Sequence, residues 1–315
     1  LSDIVKTFWG KLYAWALPST FLVGAFWLLV YPSVPYLYGA IRVSSSSEKS
    51  ALFVAITALI AFTLNSCSAF LYRVLEGYLL WPKWLQKIAV KRQLRLKHEL
   101  QRDVDRGGWA RGLALEKLAR YPLRDEQVVP TKFGNAIRSF ETYGKTRFNL
   151  DSQTLWYELC ASAPKYLQSA IETARSSVDF FVAMTYLSFL FALMSLFLAL
   201  SGFGSPNLFI VSVGAFGLTL LSHWFAVRTT AEWSYSVQAL VNIGRIKLAD
   251  QLGLRVPDTL EAEKEMWGLA TSYVFWSKPE LGAKLDPFRT RKDQSSGNTG
   301  KVAEEKASDA ENGED

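Results

Sequence analysis

Histidine and cysteine are scarce in this chain: His98 and His223, Cys67 and Cys160, are all there are. The histidines fall in separate regions, and neither a Cys-x-x-Cys nor a His-Glu-x-x-His pattern occurs, which excludes the usual zinc sites. Two cysteines make no disulfide framework and read as reduced, fairly buried thiols. No Gly-x-Ser-x-Gly elbow is present, so a serine hydrolase of that type is excluded. The stretch "SFETYGKT" ends like a phosphate-binding loop, but Ser139 stands where the first glycine is required. It is also preceded by a helical pattern rather than a strand, which excludes the Walker A reading. Ser66, Ser68 and Ser222 lie in apolar stretches, Ser222 beside His223, yet no orienting third group accompanies them, so an intramembrane hydrolase is disfavoured. These absences point to a non-enzymatic protein with no cofactor and no metal.

Charge is missing from long stretches. The runs 15–37, 51–72 and 208–227 contain no Lys, Arg, Asp or Glu, and 178–200 contains only Asp179. Each has the length that spans a hydrocarbon core as a helix. The fold class expected is therefore all-α: an integral membrane protein with four transmembrane helices and a helical cytoplasmic layer. Lys6 and Lys11 before the first run would suit a signal peptide, but the run is long and lacks a small-x-small cleavage site, so it is read as an anchor. The initial Leu suits either a non-AUG bacterial start translated literally or a trimmed N-terminus.

What charge there is lies on one side. The connection 73–178 carries 19 Lys/Arg against 11 Asp/Glu, the loop 33–50 only Arg42 and Lys49, and 201–207 none. The positive-inside rule then places both termini and the central segment in the cytoplasm, at a bacterial inner membrane. Five domains follow: an N-terminal hairpin to residue 72, a basic segment 73–177, a second hairpin 178–253, a helix 254–278 and a disordered tail 279–315.

Within the basic segment, "RVLEGYLLWPKWLQKIAVKRQLRLKHELQRDV" reads as a continuation of the second span and as a basic amphipathic stretch suited to anionic headgroups. Gly107-Gly108 turns the chain into a returning helix, "WARGLALEKLARYP". Then come an amphipathic helix in "PTKFGNAIRSFETY" and another N-capped by Asp151. From Lys165 the chain shows no breaker until Gly202, nor between Val227 and Gly244, so the last two spans are expected as long helices forming an antiparallel hairpin. Asp258 and Glu261 have capping-box spacing for a final helix.

Pro130, Thr131, Gly134, Asn135, Leu150, Asp151, Leu155 and Trp156, followed by a long helix entering a span, resemble a group of bacterial multi-pass membrane proteins with a Pro-Thr-x-x-Gly-Asn element. That resemblance covers the second half of the chain and implies no activity.

Two residue sets are candidate sites. Asn65, Arg73, Asp179, His223 and Arg228 lie at similar depth near the inner ends of the spans and are expected to form one polar cluster. It would serve as a gate or ion-coordinating ring, or else as helix glue with Asp179 paired to Arg73, Arg175 or Arg228. In the cytoplasmic segment, Thr131, Lys132, Asn135, Arg138, Lys145, Arg147 and Asp151 form a possible binding element, with Asn135 and Arg138 on the face away from Phe133, Ile137 and Phe140. The expected function is an oligomeric, channel-like assembly. The alternatives are a scaffold docking a cytoplasmic protein partner or an intramembrane or lipid-handling enzyme. The basic segment has no nucleic-acid module, and nearness to the membrane accounts for its charge.

Overall fold

The computed structural model describes residues 2–42 and 44–290, with side chains at 13–39 and 44–290. It is all-helical, with no strand among the described residues. Four helices are long and apolar enough to cross a membrane: Tyr13–Ser33, Ser46–Ser66, Lys165–Leu200 and Leu208–Gln251. The chain separates into two compact units, 1–143 with 164–240 and 144–163 with 241–315.

In the first unit, α1 (Ser2–Ala25) runs through a π-helical turn, Phe26–Val30, into a single 3-10 turn ending at Ser33. After the short α2 (Pro35–Arg42), α3 (Ser46–Ser66) starts at a full capping box: Ser45 Oγ accepts from the Glu48 amide and Glu48 accepts from that of Ser45. α1 packs on both α3 and α10 (Lys165–Leu200). α10 and α11 (Leu208–Gln251) run antiparallel, as the register of their contacts requires. Ser212 Oγ donates to Ala192 O (2.8 Å), Ser188 and Thr219 share a hydrogen bond (3.0 Å), and Phe181 stacks on Phe225. Residue numbers in each pair sum to nearly the same value, and small hydroxyl side chains let the two backbones approach.

The second span does not run on into the basic segment. Cys67 interrupts it, α4 (Ser68–Glu76) follows, and Gly77 ends α4 in the left-handed region at φ +92°. A side chain at residue 77 would also meet Pro130 at 2.9 Å, so glycine is required twice over. α5 (Lys83–Arg106) then begins behind Pro82 and turns at Gly107 and Gly108 into α6 (Arg111–Leu118), which packs against it. Lys97 Nζ, buried on α5, ties the return: it bonds Leu123 O at 2.8 Å and Asp125 at 2.7 Å. α7 (Lys132–Glu141) closes the segment against α4.

The second unit is built on α8 (Tyr143–Phe148), α9 (Trp156–Ser162), the end of α11, α12 (Leu260–Trp276) and α13 (Pro279–Leu285). Its core includes Leu150, Leu155, Leu159, Leu248, Met266 and Trp267, all essentially inaccessible. Asp151 caps a turn, accepting from the amides of Gln153 and Thr154, and α9 begins only at Trp156. The cap of α12 is Thr259, which accepts from Ala262, and not Asp258. Residues 279–290 are also ordered, contrary to the sequence expectation. Arg255 N bonds Phe288 O at 2.7 Å and Thr290 N bonds Gly253 O at 2.9 Å, while Leu285 is buried. This pairing is non-local, so no periodicity announces it. The rest of the expected disordered tail, 291–315, lies outside the described residues.

Candidate functional site

The Pro-Thr-x-x-Gly-Asn element forms the joint between α7 and the end of α4. Thr131 caps α7 by accepting from Gly134 N (2.9 Å), and its hydroxyl proton goes to Leu75 O (2.7 Å) on α4. Asn135 is wholly buried, and its carboxamide reads the backbone before the helix: it accepts from Val129 N (2.8 Å) and donates to Val129 O (2.9 Å) and Thr131 O (2.8 Å). Only an amide offers both donor and acceptor in that geometry. Gly134 lies directly on α4, where a Cβ would stand 2.7 Å from Glu76 O. Asn135 therefore faces inward with Phe133 and Ile137, not outward with Arg138. Sequence periodicity misplaced it because a fully bonded amide behaves as a core residue.

Around this joint the structure collects groups from four helices. Tyr72 on α4 donates to Asp179 on α10 (2.6 Å), and Arg175, one turn earlier on α10, is 3.9 Å from the same carboxylate. Tyr72 also contacts the rings of Phe133 on α7 and Trp233 on α11, and Phe140 packs on Trp233 at 4.9 Å. Trp233 Nε1 is enclosed with no hydrogen-bond partner among the described residues. Tyr72 is the functional-type residue the sequence did not single out, because an aromatic at a span's end reads as an interfacial anchor.

Of the five span residues expected to cluster, only Asp179 enters this network. Arg228 lies over the Trp224 ring at 4.1 Å, His223 is half-buried, and Asn65 and Arg73 are exposed. The five do not form one ring within the chain, since helix rotation, which depth alone does not fix, turns them to different sides. In the expected cytoplasmic element, Thr131 and Asn135 are engaged as described. Arg138 approaches Glu141 (3.5 Å), while Lys132, Lys145 and Arg147 are exposed and Asp151 caps its turn. Cys67 is exposed and Cys160 half-buried.

One carboxyl of the joint responds to pH near neutrality. Burial, and after it the neighbouring Glu141 carboxylate, push the Glu76 carboxyl up to about 7, against the opposing pull of Arg73 and Arg138. The folded protein thus holds this proton more tightly than the unfolded chain does. Its contribution to stability is complete below the ordinary value of 4.5 and is lost as pH rises towards about 7. Allowing for solvent screening, the loss amounts to about 1–2 kcal/mol. Melting profiles in detergent should fall over that window for the wild type and stay flatter for Glu76→Gln; parallel profiles would refute the assignment.

No group of three His, Cys, Asp or Glu side chains positioned for a metal occurs among the described residues. The joint's groups are held together by hydrogen bonds at a helix junction, with Glu76 as its titrating carboxyl. Compared with protein-family models, curated proteins and solved structures, the chain matches none.

Proposed function

We propose that this is a non-enzymatic membrane protein that self-associates into a channel-like assembly in a bacterial inner membrane, with both termini and the basic segment cytoplasmic. The observation that carries this reading is the bareness of α3. Ala51, Ala55, Ala58, Phe62 and Asn65 recur at helical spacing along it, and all five are exposed. The first three make a thin face that lets another helix approach closely. An exposed carboxamide on an apolar span is costly in lipid, and a second copy or a water-filled lumen relieves that cost. On α10 and α11 the buried hydroxyls of Ser188, Thr219 and Ser212 are by contrast bonded within the subunit, while Ser195 Oγ is enclosed without a partner among the described residues. A ring with α3 towards its axis would have a lumen walled by alanine, a constriction at Phe62 and a girdle of Asn65 at one mouth.

The test is the particle's mass by native mass spectrometry in nanodiscs, followed by planar-bilayer recording. A closed ring of four or more subunits is expected, with unitary conductance changed about twofold or more by Asn65→Leu. A monomer in nanodiscs would overturn the proposal and favour the scaffold reading.

A further inference from the structure

We infer that the outward face of α5, with the turn that leads into it, is a docking surface for the anionic headgroups of the bilayer that the spans enter. The buried face of α5 carries Gln93 and Lys97, which bond Tyr121 and Asp125 beyond α6. On the opposite face Trp84 and Ile88 are 64% and 58% exposed in the middle of a cationic surround, with Lys87 and Lys91 on one side and Arg92 on the other. A water-facing helix puts its apolar residues against the protein and its cations outward. Here apolar and cationic groups share the outer face, which is the arrangement of a helix lying in a headgroup layer. No acidic residue occurs from Gly77 to His98.

The turn before α5 makes the same case independently. Leu80 adopts φ +61°, a region a leucine rarely enters, and the result is a side chain 78% exposed. The turn is held there by its neighbours: Trp81 Nε1 donates to Val74 O (3.1 Å), and Gln86 Nε2 donates to Gly77 O (3.3 Å). Strain that is held in place to expose a leucine a few residues beyond a membrane span points to a partner for that leucine. At the far end of the hairpin Trp109 is 96% exposed, between Arg106 and Arg111. Anionic lipid is complementary in charge to the face from Leu80 to Arg95, Glu99 and Asp103 coming only further along α5, and it lies where the second span delivers the chain. The proposal is independent of subunit number.

The test uses the full chain in nanodiscs, in a Cys67→Ser/Cys160→Ser background, with an environment-sensitive fluorophore on Ile88→Cys and a control label on Lys117→Cys of α6. In nanodiscs containing phosphatidylglycerol, iodide quenching at 88 should be about fivefold weaker than at 117, and in purely zwitterionic nanodiscs the difference should disappear. Each cation contributes a factor of about five at such a surface, so Lys87→Gln/Lys91→Gln/Arg92→Gln/Arg95→Gln should reduce the shielded-to-unshielded ratio by nearly three orders of magnitude, about 600-fold. High salt should abolish shielding of the wild type in the same nanodiscs, a measurement that stands even where the fourfold variant fails to fold. Equal quenching at both positions in anionic nanodiscs overturns the proposal and leaves the face for an acidic protein. Shielding at 88 that ignores lipid charge and salt also overturns it, and assigns the cover to another copy of this chain.

Discussion

Replacing Asn135 with leucine should release the segment Val129–Thr131 from the start of α7. The side chain is wholly buried, and leucine fills its volume without its polar atoms. Val129, itself buried, would keep an amide N–H and a carbonyl with neither partner nor water. Each such orphan costs about 1–3 kcal/mol, so about 4 kcal/mol is expected for the pair. Because the lost bonds are local, the effect should be read locally: by hydrogen exchange, the amides around Val129 and along α7 should open about a thousandfold more readily. Gly134→Val should loosen the same joint from the α4 side, where its Cβ would run into the Glu76 carbonyl. Exchange across α7 within about threefold of wild type in Asn135→Leu would show that the carboxamide does not hold the joint.

The other large effect is expected in the second unit. Arg245 on α11 bonds Glu263 on α12 at 2.7 Å, its guanidinium lies 4.1 Å above the Phe148 ring, and it also bonds the Asn242 carbonyl. Glu263 is buried and accepts from Trp267 Nε1 as well (3.3 Å). Glu263→Ala would strand both the guanidinium and the indole N–H in a low-dielectric interior. Removing one partner of a buried pair costs about 3–5 kcal/mol, and the partly accessible guanidinium puts the expectation at the lower end, about 3 kcal/mol. Removing both charges avoids the stranded group, so Arg245→Met/Glu263→Leu should recover most of the loss. Denaturant unfolding followed in the second unit distinguishes the two variants; equal destabilisation by single and double would mean that the packing of the long stems, not the pairing of the charges, is what matters.

Much of the helical order was legible in the residues. The capping and turn signals at Gly107-Gly108 and Pro164 mark real boundaries, because caps and breakers act through bonds within a few residues. The absence of breakers after Lys165 likewise foretold a single helix to Leu200. The failures share one cause. Polarity alone puts Asn135 on the outer face, yet its amide is spent on the backbone at Val129 and Thr131. Residues 279–290 carry apolar side chains that look too sparse to fold, yet they pair with 253–255. Glu76 gives no signal at all, since its proton affinity depends first on burial and then on Glu141, which is distant in sequence.

By itself, the sequence determined the all-helical class and the four helices fit to cross a membrane, since hydrocarbon thickness and backbone hydrogen bonding leave a long uncharged run few other options. Only the tertiary structure decided which polar residues meet. Depth along a helix follows from counting residues, but rotation about its axis follows from packing. Packing joined Tyr72 to Asp179, enclosed Asn135 and left Asn65 bare on α3.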